Sequence, residues 1–216
     1  MEKRREFLHI TFGFLAGVGL WMSPFISFIR VACAKAKKMI LPRDTKRESL
    51  IDKNPADLDT RYLDPTPLKD FSTMGITDYE VNVDAWRLEV AGRVKRPFTL
   101  TYTQILALPS IEREVLLICP GFFANHGRWK GVSMGELLDR ANIEKGVTLV
   151  TFFGQKGEYE RMESFPMDDV LSSKVFLAYN VNGETLPKKH GFPLRIVAKD
   201  YYGFNWLKYV YKVKLE

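Results

Sequence analysis

After the first third of the chain, apolar residues come in short runs separated by Gly, Pro and charged residues, which is the spacing of strands rather than of long helices. Val115 to Ile118 is a run of the length and β-branched content of a buried strand. It delivers Cys119 to the strand's end, where Pro120-Gly121 breaks the chain. The next residues, Phe122, Phe123, Asn125, His126, Arg128 and Trp129, show no periodicity and read as a loop. A helix is expected after Ser133, where Ser-Met-Gly-Glu has capping-box spacing and Leu137 and Leu138 supply an apolar face. Upstream, Trp86, Leu88 and Val90 alternate with Arg87 and Glu89 as a strand ending at Gly92. Thr101 to Gln104 is a second capping box, opening a short helix that stops before Pro109. Downstream, Val147 to Phe153 reads as a strand ending at Gly154, and Pro166 opens a short helix through Leu171. Val175 to Tyr179 and Leu194 to Ala198 read as strands with a turn at Asn182-Gly183 between them. At the C-terminus, Leu207, Tyr209, Tyr211, Val213 and Leu215 alternate with Lys208, Val210, Lys212 and Lys214, the pattern of a half-exposed strand. Many short strands with three short helices define an α+β fold with mixed or antiparallel sheets.

The first third has a different grammar. Lys3-Arg4-Arg5-Glu6-Phe7-Leu8 has the two arginines, spacer and Phe-Leu of a twin-arginine export signal, and a long apolar stretch from Phe12 to Ile29 follows. Ala32-Cys33-Ala34 matches the small-x-small pattern of a cleavage site, while the apolar stretch approaches bilayer-spanning length, so 1–34 is expected to be a signal or a membrane anchor. Residues 35–67 hold many charges, four prolines (Pro42, Pro55, Pro65, Pro67) and little periodicity, and read as a linker or wrapping arm. The domain proper is expected over 68–216, beginning with a polar loop around Ser72 and Thr73 that Gly75 closes.

Composition adds little beyond confirming a globular chain of 216 residues, 46% hydrophobic and 27% charged. The net charge of +6 is not a nucleic-acid footprint: Lys35, Lys37, Lys38, Arg43, Lys46, Arg47 and Lys53 account for it next to the apolar N-terminus, and no nucleic-acid-binding motif appears. There are two cysteines, Cys33 and Cys119, and Cys33 falls in the export segment, so Cys119 is expected to be a free thiol. The chain has no CxxC and no clustered Cys/His set, which argues against structural zinc or c-type haem. A lone cysteine at a strand end, before aromatic and cationic residues, is where a soft metal ligand or a nucleophile could sit.

Four segments together resemble the oxidoreductase molybdopterin-binding domain of the sulfite oxidase superfamily. They are Cys119 with Trp129-x-Gly131-Val132 and the capped Leu-Leu helix; Leu177-Ala178-Tyr179 followed by Asn182-Gly183-x-x-Leu186-Pro187; His190-Gly191-Phe192-Pro193-Leu194-Arg195; and Tyr202-Gly203-Phe204-x-Trp206-Leu207-Lys208. They occur in the family's order over about two-thirds of the chain. The size and export signal place the resemblance nearest the small exported branch typified by the periplasmic protein-methionine-sulfoxide reductase catalytic subunit.

The resemblance implies a sulfite-oxidase-like fold and a Mo-molybdopterin cofactor, with Cys119 as the thiolate ligand of molybdenum and the catalytic centre. It implies cofactor contacts at Ser72, Thr73, Gly154, His190, Arg195, Trp206, Leu207 and Lys208, of which Arg195 offers a planar fork and Lys208 a compact charge for the pterin phosphate. Asn125, His126 and Arg128 are candidates for a substrate pocket, where a cationic loop would suit an anion. The implied reaction is oxygen-atom transfer to or from a small oxyanion or a sulfoxide, by a periplasmic monomer, with electrons exchanged through a membrane haem or quinone-linked partner. Where sulfite oxidases have Ala-Gly-Asn after the cysteine, this chain has Pro-Gly-Phe-Phe, and Asn205 replaces a lysine in the Tyr-Gly-Phe turn. The substrate therefore stays open. Two other readings remain beside this one: a non-catalytic module of the same fold, and a thiol hydrolase using Cys119 with His126 and Asn125.

Overall fold

The computed structural model describes residues 37–158 and 160–216; the segment read as a signal or anchor lies outside them. The chain from Lys38 onward forms one unit. It opens with β1 (Met39–Ile40) and β2 (Leu58–Asp59), a short parallel pair. Between and after them Leu41, Leu50, Leu58 and Leu63 are buried against Leu116, Ile118 and Ala124, a cluster separate from the main core.

The remaining strands are β3 (Leu88–Gly92), β4 (Phe98–Leu100), β5 (Ser110–Cys119), β6 (Phe123–Val132), β7 (Leu149–Gly154), β8 (Arg161–Pro166), β9 (Val175–Val181), β10 (Glu184–Thr185), β11 (Arg195–Ala198) and β12 (Val210–Leu215). The helices are α1 (Tyr102–Leu106), α2 (Met134–Ala141) and α3 (Met167–Leu171). Among the described residues one five-stranded sheet runs β10-β9-β6-β5 with β11 also on β9, and it is antiparallel throughout. The other runs β4-β3-β12-β7-β8 and is mixed, because β12 pairs with β3 in parallel and with β7 antiparallel. The main core takes side chains from both sheets and from α2 and α3. Mixed sheets with few, short helices are the α+β architecture expected from the sequence.

Several local expectations change. The expected loop after Cys119 is a ten-residue strand, β6, paired residue for residue with β5 from Cys119↔Phe123 to Ser110↔Val132. Its alternation is real but disguised: the core-facing set Phe123, Asn125, Gly127 and Trp129 contains an amide and a glycine, so no apolar period shows. The capping box at Thr101 forms with both hydrogen bonds, whereas Ser133 occupies the N-cap of α2 without a side-chain cap bond. The turn at Asn182-Gly183 has both residues at positive φ, 54° and 88°, and joins β9 to β10. At the C-terminus the ladder slips between Val210 and Lys212, and Tyr209 sits at φ 56°. The extra residue of this bulge moves Val210 into the core and leaves Tyr211 half-exposed, against the simple alternation.

The β6–β9 contact tolerates no side chain at Gly131, where a Cβ would stand 2.0 Å from the Leu177 carbonyl oxygen and 2.7 Å from Ala178 Cα. Gly131→Ala is therefore expected to cost about 1–3 kcal/mol or more. In α2, a Cβ on Gly135 would meet only Ser133 Oγ at 3.8 Å, and Gly135→Ala is expected to stabilise by roughly 0.4–1 kcal/mol. Urea midpoints at unchanged slope measure both; equal effects of the two would refute the packing argument.

Candidate functional site

Side chains on a strand alternate between faces. On β5, Val115 and Leu117 enter the main core while Leu116 and Ile118 enter the smaller cluster. Cys119 therefore lies on the main-core face, at the end of the strand. There it lines a cleft of about 320 Å³ with Ile76, Phe123, Trp206, Leu207 and Lys208. The thiol is free and half-buried, and burial pushes its pKa up. The protein alone thus keeps it protonated; a bound metal cation would deprotonate it. Among the described residues no group of three His, Cys, Asp or Glu could hold a metal ion, so a metal here would arrive with other ligands of its own.

A buried cationic pocket adjoins this cleft. Arg195, at the start of β11, is 5% exposed and lies over the faces of Trp129 and Trp206, with its guanidinium carbon 5.1 and 5.6 Å from the ring centroids. Its Nη1 donates to the His190 carbonyl at 3.0 Å. Lys208 Nζ lies 3.4 Å from Thr73 Oγ1 and donates to the carbonyls of Lys189, at 3.1 Å, and Ile76. Among the described residues neither cation has a carboxylate in salt-bridge range. His190 is 1% exposed and its Nε2 has no partner there.

All three groups are depressed in the same direction. Burial, then the charges of Arg195, Lys189 and Lys208, hold His190 down from 6.5 to about 4. Burial holds Arg195 to about 10, and burial followed by Arg195 holds Lys208 to about 8. A buried anion would reverse each of these shifts, and the orphaned imidazole nitrogen supplies a further polar contact. The donor set fits a phosphate.

The other expected cofactor residues gather at the same place. Ser72 is fixed through its backbone: its N–H donates to Asn125 Oδ1 at 3.2 Å, and Asn125 Nδ2 donates to its carbonyl at 2.8 Å. Thr73 meets Lys208. Trp206 and Leu207 are 3% and 2% exposed beneath the cleft, and Leu207's carbonyl accepts from Ile196 N–H at 2.8 Å. Gly154 permits contact, since a Cβ there would stand 2.3 Å from the Lys208 carbonyl oxygen.

The expected substrate residues divide. Asn125 shares the face of Cys119 but is buried and committed to Ser72. His126 and Arg128, the even-numbered partners, face the other way. His126 is fully buried, with Nδ1 3.4 Å from the Asp64 carbonyl oxygen, and burial lowers its pKa. Arg128 pairs with Glu112 at 3.5 Å, opposite Glu114 and five ladder pairs from Cys119, roughly 17 Å along the strand. The Cys119–His126–Asn125 arrangement of a thiol hydrolase is thereby excluded, because its base is on the wrong face.

Residues the sequence reading passed over also line the cleft: Met74, Gln155, Arg161 and Phe204. Arg161 is engaged by Glu163 at 2.9 Å and by the Phe204 carbonyl at 2.9 Å. Gln155 and Tyr209 are non-glycine residues at positive φ, 44° and 56°, and Gln155 N–H donates to the Tyr209 carbonyl at 3.0 Å. Strain of this kind concentrates at working sites. No periodic signal marks it in the sequence.

A pocket that can seat a buried anion, joined to a cleft with a thiol at its wall, defines a protein built to hold an anion-bearing cofactor. Known proteins identify which one. Residues 74–216 match the family model of the oxidoreductase molybdopterin binding domain, so the chain belongs to that family, whose cofactor is Mo-molybdopterin. It is 29% identical over 145 residues to the protein-methionine-sulfoxide reductase catalytic subunit MsrP of Gluconobacter oxydans, covering 60% of this chain and 46% of that protein. An oxidoreductase of Bacillus subtilis, YuiH, is 29% identical over 137 residues, covering 63% of this chain and 68% of that one. The NADH nitrate reductase of Volvox carteri is 31% identical over 157 residues, covering 59% of this chain and 18% of that one. The sulfane dehydrogenase SoxCD from Paracoccus pantotrophus matches with a TM-score of 0.59 at 25% identity, over 63% of this chain and 39% of that chain. The match therefore spans less than half of the first of these relatives. The resemblance to the sulfite oxidase superfamily, nearest its methionine-sulfoxide-reductase branch, is borne out.

The depressed histidines set a sign for stability. Between about pH 4 and 6.5 the unfolded chain binds a proton at position 190 that the folded chain refuses, so stability is full above 6.5 and is lost as pH falls toward 4. His126 acts in the same direction. Urea unfolding at several pH values should show His190→Gln losing less stability than the parent across that window; an unchanged slope would mean that His190 is not held neutral.

Proposed function

We propose that the chain is a Mo-molybdopterin oxidoreductase that transfers an oxygen atom to or from a neutral sulfoxide-type substrate flanked by apolar groups. The observation that carries this reading is the polarity of the cleft around Cys119. The cations expected to meet an oxyanion, His126 and Arg128, belong to the opposite face of β6. The cleft presents Met74, Ile76, Leu117, Phe123 and Phe204; of its two cations, Arg161 is paired with Glu163, and the Lys208 ammonium is held by the Thr73 hydroxyl and the Lys189 and Ile76 carbonyls. An oxyanion would lose hydration against that apolar wall and would have to share Lys208 with the loop groups it already holds and with the cofactor phosphate assigned to it; a sulfoxide needs little more than a donor for its oxygen.

In this reading Cys119 is the protein's ligand to molybdenum, a soft thiolate for a soft site. Arg195, Lys208 and His190 hold the pterin phosphate, with Ser72, Thr73 and the Trp206–Leu207 turn shaping the pocket. The bound cofactor supplies two-electron oxygen-atom chemistry. The chain's own residues keep the phosphate end charged, keep the substrate end apolar, and fix the Ser72 loop through Asn125. Electrons must be exchanged with a separate carrier, which we assign to a membrane haem or quinone-linked protein. The Arg4-Arg5-x-Phe-Leu start supports export of a protein loaded and folded before it crosses the membrane, into the periplasm, with 1–34 as its signal or anchor and 35–67 as an arm on the domain. No helix among the described residues is long and apolar enough to cross a membrane.

Protein made in a host with cofactor synthesis and twin-arginine export should contain about one molybdenum and one pterin per chain. Cys119→Ser should lose activity and the thiolate signature of the metal's spectrum while keeping the pterin. With reduced viologen as donor, kcat/KM should favour alkyl and aryl sulfoxides over nitrate and chlorate, and with a dye as acceptor sulfite should be a poor substrate. A preference for an oxyanion would overturn the substrate assignment. Wild-type protein without metal or pterin would overturn the enzyme and leave a non-catalytic module of this fold.

A further inference from the structure

The loop over the cleft is tied down on both sides and free in the middle. Asn125 holds Ser72 by two hydrogen bonds to its backbone. On the other side Lys208 and the Tyr209 hydroxyl both donate to the Ile76 carbonyl, the latter at 3.2 Å. Between these anchors, among the described residues, no hydrogen bond holds Met74 or Gly75. Gly75 sits at φ 75°, and a Cβ added to it would meet nothing within 4 Å. Met74 is therefore presented at the apex of a pinned loop, 47% exposed, on the wall of the cleft that holds Cys119.

The other described methionines separate the two halves of that description. Met39 and Met162 are 49% and 59% exposed but do not line the cleft, and Met134 and Met167 are buried. Only Met74 among them is both open to a solvent oxidant and lodged in the cleft. A peroxide converts an exposed thioether to a sulfoxide, with one oxygen passing to sulfur and water released. The product is the functional group proposed for the cleft, already tethered on the wall of the cleft that the thiol lines, where a tethered group reacts at an effective concentration far above that of a free substrate.

We propose that Met74 is a reversible oxidation site and that the chain is its own substrate there, restoring Met74 from its sulfoxide in cis. This rests on the sulfoxide reading above. The balance of the repair is sulfoxide plus two electrons and two protons to thioether and water, with electrons from the same donor that supports turnover and protons from solvent. While oxidised, Met74 replaces an apolar wall of the cleft with a polar, branched one and competes with substrates from outside; reduction reopens the site. The mouth of the cleft thus reports peroxide and repairs itself.

The test reads the oxidation state of each methionine by peptide mass mapping. In holoprotein treated with hydrogen peroxide without an electron donor, Met74, Met39 and Met162 should all oxidise well ahead of Met134 and Met167; a Met74 as inert as the buried pair would overturn the site. Oxidised holoprotein is then given reduced viologen at two protein concentrations tenfold apart. Met74 sulfoxide should return to methionine at a rate independent of concentration, and by about half or more because peroxide makes both epimers, while Met39 and Met162 sulfoxides return more slowly and in proportion to concentration. Cys119→Ser should abolish the return. Persistence of Met74 sulfoxide while free N-acetyl-methionine sulfoxide is turned over would overturn repair in cis and leave the sulfoxide reading standing. Failure of both would overturn that reading itself.

Discussion

The structure turns on a guanidinium buried without a counter-charge. Moving an unpaired ion into a protein interior is costly unless hydrogen bonds and neighbouring charges compensate. Arg195 is compensated in part: two indole faces lie against it and the His190 carbonyl accepts from it. The chain has 26 acidic residues, and none of those described pairs with Arg195 or with Lys208. A fold with that many carboxylates that places none beside its most buried cation is arranged for an anion from outside. The low positions of Arg195, Lys208 and His190 share one first cause, burial, to which the Arg195 charge adds at Lys208 and at His190.

That arrangement dictates the backbone around it. For Lys208 to reach the loop at Thr73 and Ile76, the chain must turn sharply out of the Tyr202–Leu207 segment and then enter β12. It does so through a left-handed Tyr209 and a bulge, which sends the tyrosine hydroxyl to the same Ile76 carbonyl that Lys208 holds. The opposing strand accommodates the step with a second left-handed residue, Gln155, and with Gly154, where nothing larger fits against the Lys208 carbonyl. Strain just after β7 and just before β12 is thus local to the place where a charged side chain must be aimed.

The fold class, and the segments that come together at the candidate site, were legible because they rest on local features. A strand ending in a cysteine, a Pro-Gly break, an Asn-Gly turn and clustered motif segments each have a short-range cause. What could not be read depends on pairing. His126 and Arg128 looked like pocket residues because they follow Cys119 closely, but β6 folds straight back along β5, and a period of two sends every even-numbered residue from 124 to 128 to the far side. Asn125 and Gly127 on the inner face hid that period: the amide is there to hold the Ser72 loop, and a Cβ on Gly127 would stand 2.9 Å from the Phe71 ring. The slipped register of β12 was equally invisible, since a bulge has no signature in an alternating run of Tyr, Lys and Val.

The same alternation bears on what the net charge means. A surplus of six positive charges invites the idea of an anionic substrate drawn to a cationic mouth. The structure distributes those charges otherwise. Arg195, the buried and unpaired guanidinium, is not among the residues lining the thiol's cleft, and Lys208, which lines it, is turned to the Thr73 hydroxyl and the Lys189 and Ile76 carbonyls. Near the thiol Arg161 is neutralised by Glu163, and Arg128 and Glu112 pair on the outer face. In the proposed reading, charge in this site serves retention of a resident group, and discrimination among substrates falls to the apolar wall. The proposed preference for neutral sulfoxides rests on that division: with the positive field given to a cofactor phosphate, shape and desolvation would be left to choose the substrate.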